Sequence, residues 1–203
     1  YQRHVDALAT GLLAIGIGPG DRVGIWSPNR VEWCLTQFAT AKIGAIMVCI
    51  NPAYRLYELE YALNKVECKA VITAESFKTS EYLEMLQALA PELAECAPGE
   101  LVSAKAPHLK SIIRMGREKT AGMFNFDEVC ALGGDIERQQ MTEIAATLQP
   151  DDAINIQFTS GTTGNPKGAT LSHFNILNNG LQVGAGMRCK TSWRDRQRLQ
   201  TWR

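Results

Sequence analysis

The sequence has no excess of charge of either sign: 21 Lys and Arg stand against 21 Asp and Glu in 203 residues. That balance excludes a polycation, so nucleic-acid binding would need a local basic patch. No close cysteine pair occurs among Cys34, Cys49, Cys68, Cys96, Cys130 and Cys189. Zinc ribbons and thioredoxin-like redox motifs are therefore excluded. No apolar run reaches membrane-spanning length. The longest apolar-rich stretch, Leu35 to Ile50, is interrupted by Gln37 and Lys42 and falls short of the ~20 residues a bilayer requires. A secretory signal, an internal repeat and a low-complexity tract are all missing. What remains is ordinary globular material, 45% hydrophobic and 21% charged, long enough to bury a real core. Cys34, Cys49 and Cys68 lie in apolar runs, so they are expected as reduced core residues of an intracellular protein. The chain begins at Tyr1 inside a helical pattern, and a true N-terminus with any targeting peptide is expected upstream.

Hydrophobic spacing sets the order of elements. Val5, Leu8, Ala9, Leu12, Leu13 and Ile15 recur at helical intervals, and the turn Gly18-Pro19-Gly20-Asp21 stops them. Arg22 to Ser27 reads as a strand, Arg30 to Ile43 as a helix, and Ala45 to Ile50 as a strand buried on both faces. Asn51-Pro52 breaks that strand. A helix over Leu56–Val66, a strand over Lys69–Thr73 and a helix over Thr79–Ala90 follow. Residues 91–110 read as an irregular connection, Ser111–Met115 as a short strand, and Phe126–Leu132 as a short helix ended by Gly133-Gly134. Asp151-Asp152 makes a turn into the strand Ala153–Phe158. Strand–helix alternation with short connections predicts an α/β fold with a mostly parallel sheet flanked by helices.

Residues 159–168 read Thr-Ser-Gly-Thr-Thr-Gly-Asn-Pro-Lys-Gly, directly after that strand. Gly161, Gly164 and Gly168 allow close backbone approach. Thr159, Ser160, Thr162 and Thr163 add hydroxyls, and Lys167 adds one mobile positive charge. Amides, hydroxyls and a lysine in one loop after a strand suit a polyphosphate. The loop is not a Walker A motif, because Lys167 follows Pro166 and precedes Gly168 where that motif requires Gly-Lys-Ser/Thr.

This loop resembles the phosphate-loop signature of the adenylate-forming ligases, which include acyl-CoA synthetases, coumarate ligases, luciferases and peptide-synthetase adenylation domains. The likeness extends along the chain. Leu12 to Ile17 followed by Gly20 to Ile25 resembles that family's first helix and strand. Gly44-Ala45 with Ile50-Asn51-Pro52 resembles its second strand and following turn, and Leu171 to Asn175 resembles its helix start after the loop. The strings Ile50 to Arg55, Glu58 to Leu63 and Ala153 to Phe158 look most like mitochondrial medium-chain acyl-CoA synthetases. The resemblance implies residues 1–187 are an N-terminal part of the large AMP-binding domain, well under half of a whole enzyme. It implies ATP with Mg²⁺ as a substrate complex, a fatty-acid carboxylate attacking the α-phosphate, and coenzyme A taking the acyl group from the adenylate. It implies a place in the mitochondrial matrix. Phosphate binding carries over to Thr159, Ser160, Gly161, Thr162, Thr163, Gly164, Asn165, Pro166 and Lys167. The family's catalytic lysine, ribose-binding aspartate and metal-associated glutamate lie in later motifs, so no catalytic or metal residue is assigned here. Two alternatives stand beside this: a non-catalytic nucleotide-binding or regulatory short form, and another adenylate-forming ligase such as an aryl-CoA ligase or an adenylation domain.

Residues 188–203 depart from the family pattern. Arg188, Lys190, Arg194, Arg196, Arg198 and Arg203 face one Asp195, with Trp193 and Trp202 among them. A disordered basic end is expected there rather than a nucleic-acid or membrane contact. Ser172 is expected to cap a helix running to Met187, with His173 a helix-start residue and no catalytic base. Trp26 and Trp33 are expected in or near the core. An apolar face left without neighbours near this end would make the isolated chain poorly soluble or partly molten.

Overall fold

The computed structural model describes residues 1–159 and 166–187. Helix α1 (Gln2–Ala14) leads into strand β1 (Arg22–Trp26), α2 (Val31–Lys42), β2 (Ile46–Cys49), α3 (Leu56–Lys65) and β3 (Cys68–Thr73). A small hairpin, β4 (Ser76–Phe77) and β5 (Ser80–Glu81), precedes α4 (Tyr82–Leu89). Then come β6 (Ser111–Arg114), β7 (Phe124–Asn125), α5 (Phe126–Leu132), α6 (Asp135–Ala145), β8 (Ala153–Thr159), β9 (Lys167–Ser172) and α7 (His173–Gly186).

The main sheet of the described residues has seven strands in the order β7-β6-β3-β1-β2-β8-β9. All neighbours run parallel except β8 and β9. The fold is therefore α/β with a mostly parallel sheet flanked by helices, as the alternation of elements predicts. The chain steps from β1 to β2 on one side, then crosses back to β3 on the other. Right-handed crossovers in opposite directions place α2 and α3 on opposite faces. The grouping of contacts agrees: α1, α2, α5 and α6 pack together, and α3 packs with α4.

The parallel strands read as apolar runs because both their faces are covered. Val23, Ile25, Trp26, Met47, Val48, Val71 and Ile72 are all buried. Trp26 stacks on Tyr82 at 3.7 Å between ring centroids, and its Nε1 donates to the Asn51 carbonyl at 3.2 Å. Helix α1 buries Val5, Leu8, Ala9, Leu12 and Leu13 on one stripe and crosses α5 at Gly11. A Cβ at Gly11 would lie 1.8 Å from the Val129 carbonyl oxygen, so only glycine permits that crossing. Gly20, at φ +79°, makes the turn from α1 into β1, where the Asp21 carboxylate accepts from the Gly18 amide at 2.9 Å.

Several features differ from the sequence expectation, among them a short strand at Phe124–Asn125. Lys167–Ser172 is an antiparallel edge strand, so the loop between strands is shorter than the ten residues of the motif. Asp135–Ala145 is a helix that its polar composition hides: none of its residues is buried, though Met141 and Ile144 lean on the core. Its start is fixed by the Glu137 carboxylate, which accepts from the Gly134 amide at 2.7 Å. The predicted helix from Thr79 starts three residues late because Ser76–Glu81 folds into a hairpin turning at Lys78, a non-glycine residue at φ +54°. Cys34 is exposed, because the buried stripe of α2 runs through Leu35, Thr36, Ala39 and Thr40 instead. Cys68 is buried and Cys49 half-buried, and the five described cysteines are free. The expectation for residues 188–203 lies outside the described residues.

Candidate phosphate-binding site

Strand β8 carries the motif to the carboxyl-terminal edge of the parallel sheet, where ligands of open α/β folds bind. It does so because Ile154 and Ile156 bury on the sheet beside β2. Between them sits Asn155, a polar residue with no exposed surface. A buried amide is costly unless its hydrogen bonds are met, and here both ends are satisfied. Its Nδ2 donates to Gln37 Oε1 of α2 at 2.8 Å, and its Oδ1 accepts from the Cys49 thiol of β2 at 3.6 Å. This knot joins β8, β2 and α2 four residues before the loop. Sequence reasoning passed over it, although one polar residue at an inward position of an apolar strand was the available signal. Burial pushes the Cys49 thiol up to about 11 against a smaller downward pull from Asn155, so the group stays protonated and is no nucleophile at neutral pH.

The loop leaves β8 at Thr159 and returns as β9 at Lys167. These two residues are direct partners across the antiparallel ladder. The Thr159 hydroxyl donates to the Lys167 carbonyl at 3.3 Å, which closes the base of the loop. Lys167 is exposed. On the other flank, the Tyr61 hydroxyl of α3 lies 3.4 Å from the Pro166 carbonyl, to which it donates. The sheet edge thus brings together Thr159, Pro166 and Lys167. Ser160, Gly161, Thr162, Thr163, Gly164 and Asn165, the rest of the motif, lie outside the described residues.

Beyond β9, Ser172 caps α7. Its hydroxyl accepts from the Asn175 amide at 3.3 Å, while the Asn175 side chain accepts from the Ser172 amide at 2.9 Å. His173 is the first residue of α7, as expected. Burial holds its imidazole below the usual histidine range, against a weaker upward pull from Asp152. Asp152 makes the turn into β8, its carboxylate accepting from the Gln149 amide at 2.7 Å. Arg55, given no role from sequence, forms the boundary of α3 and donates to the Thr79 hydroxyl at 3.2 Å. Among the described residues no cluster of His, Cys, Asp and Glu could hold a metal ion, and no helix is long and apolar enough to cross a membrane.

The family described as AMP-binding enzyme matches residues 1–200. The chain belongs to that family. Among curated relatives, the medium-chain acyl-CoA ligase ACSF2, mitochondrial, of Danio rerio is 46% identical over 98% of this chain and 32% of its own length. The Bos taurus protein of the same name is 47% identical over 92% of this chain and 30% of its own length. These names match the finer likeness carried by Ile50 to Arg55, Glu58 to Leu63 and Ala153 to Phe158, which is to acyl-CoA synthetase family member 2. The chain spans about a third of the length of the curated relatives it matches. In fold it is similar to the acetoacetyl-CoA synthetase of Streptomyces lividans, with a TM-score of 0.71, 23% identity, and coverage of 90% of this chain and 26% of that one. The long-chain-fatty-acid-CoA ligase FadD1 of Archaeoglobus fulgidus matches with a TM-score of 0.65 and 26% identity, covering 90% of this chain and 31% of that one.

Proposed function

We propose that this chain supplies the ATP-phosphate grip of a fatty-acid–CoA ligase of the AMP-forming kind, acting on medium-chain acids in the mitochondrial matrix. The observation that carries the reading is the closed base of the loop. Thr159 and Lys167 face each other at the carboxyl edge of a parallel sheet, with seven residues rich in hydroxyls, glycines and amides between them. Such a loop donates hydrogen bonds to the β- and γ-phosphates of Mg–ATP. Lys167 adds positive charge where negative charge builds as pyrophosphate leaves, and donors already in place stabilise that charge without reorganising. Gripping the leaving group also holds the α-phosphate in line for the carboxylate. The acyl-adenylate so formed is the substrate for the thiol of coenzyme A. Residues 1–187 are the nucleotide-gripping unit in this reading, and 188–203 are a basic appendage with no part in it. The names of the curated relatives support the choice of a medium-chain acid and of the mitochondrion.

Mg–ATP titration and ATP–pyrophosphate exchange with octanoate test the reading on the purified chain. Wild-type chain is expected to bind Mg–ATP without supporting exchange. Lys167→Ala is expected to weaken binding by about tenfold or more, the range of a charge-assisted hydrogen bond. Equal binding by the two proteins would remove Lys167, and the loop with it, from the phosphate site. Exchange that Lys167→Ala abolishes would show adenylation needs nothing beyond this chain.

A further inference from the structure

We infer that Tyr61 is a positioning residue for the phosphate loop, holding the peptide that leads into Lys167. The inference rests on the reading that this loop grips phosphate. The loop base is tied on one side by the β8–β9 ladder. On the other side it meets α3, an element distant in sequence, through the Tyr61 hydroxyl and the Pro166 carbonyl.

The reasons this contact matters are local. Proline has a fixed φ and no amide hydrogen, so Pro166 can be held by the ladder only through its carbonyl. The plane of that carbonyl is the plane of the Lys167 amide. Fixing it therefore sets the direction in which the chain enters Lys167. Helix α3 is itself a rigid anchor. Leu59, Ala62 and Leu63 are buried, and the Glu58 carboxylate accepts from the Arg55 amide at 3.1 Å to define the helix start. Tyr61 lies beside that buried stripe on the flank that, with Tyr57, Glu60, Asn64 and Lys65, lines a shallow groove. From there its ring carries the hydroxyl to the loop base, half-buried at both partners. A phenol suits this task, since two side-chain torsions place the donor at little entropic cost. A hydrogen bond of this length is weak, and its effect is one of orientation rather than of global stability.

Tyr61→Phe removes the donor and keeps the ring, and Tyr57→Phe on the same groove is the control. Amide exchange read by mass spectrometry is expected to quicken about threefold in the peptide from Pro166 to Leu171 in Tyr61→Phe. Peptides from β1 and β3 should exchange as in wild type, and Tyr57→Phe should change neither. Mg–ATP affinity should fall about threefold in Tyr61→Phe alone. Unchanged exchange over Pro166–Leu171, or equal quickening throughout the chain, would overturn the inference. So would faster local exchange with wild-type affinity for Mg–ATP, since the contact would then exist without positioning anything. A wild-type chain that binds no Mg–ATP overturns the phosphate reading itself and is told apart by that first titration.

Discussion

The centre of the sheet and helix α7 at its β9 end both carry apolar residues and meet opposite fates. On β1 and β3, apolar residues are sealed on both faces by helices that their own crossovers deliver. On β9 and α7, the helix carries Phe174, Leu177 and Leu181 at helical spacing, yet each is at least 44% exposed and none of α7 is buried among the described residues. Amphipathic patterning is thus a demand for a partner and does not itself supply one. In the centre, each crossover returns a helix to the strands it joins. At the far edge, the antiparallel pairing of β9 with β8 carries the chain outward, and among the described residues no crossover helix covers it.

The strongest way to break this contrast is Trp26→Ala. It removes a fully buried ring stacked on Tyr82, and denaturant unfolding should show a loss of about 3–5 kcal/mol. A loss under 1 kcal/mol would mean the centre is less tightly packed than its burial implies. Next in size is Ser172→Ala, which removes the cap of α7. Its expected cost is about 1 kcal/mol, confined to faster exchange in α7 and absent from β1.

Acid sharpens the contrast through His173. Burial lowers its proton affinity in the folded chain below the usual value of 6.5. As pH falls through that value, the unfolded segment takes up a proton before the folded one does. The stabilisation is therefore present above pH 6.5 and lost as pH falls further, through the folded value. The protection factor of α7, which is its exchange corrected for the intrinsic pH dependence of amide exchange, should fall on acidification, and His173→Gln should flatten that response. The smallest effect belongs to Leu181→Ala, expected within about 0.5 kcal/mol because the side chain touches little. A cost of the size seen in the core would show that another surface covers α7 in solution.

Most of the centre was legible in the sequence. Continuous apolar strands such as Ile46–Cys49 and Cys68–Thr73 carry their own signature, and Gly and Pro mark the turns between them. The antiparallel return at Lys167–Ser172 was not legible, because the motif that ends there has the composition of a loop and nothing local states that its two ends pair. Helix α6 was hidden for a related reason. It stands largely in water and holds its place by a capping carboxylate and two apolar side chains, so a search for periodic apolar faces passes over it. Cys34 shows the limit from the other side, since residing in an apolar run does not decide which face of the helix turns inward.

By itself the sequence determined the α/β class, the succession of the central strands along the chain, the phosphate-loop motif and the family to which the chain belongs. All of these rest on local patterns and local chemistry. Only the tertiary structure decided that Thr159 and Lys167 close the loop base, that Asn155 knots β8 to Gln37 and Cys49, and that Tyr61 meets Pro166. Those contacts join residues between 8 and 118 positions apart. No local propensity encodes them; they exist because strand pairing and helix packing bring together residues distant in sequence.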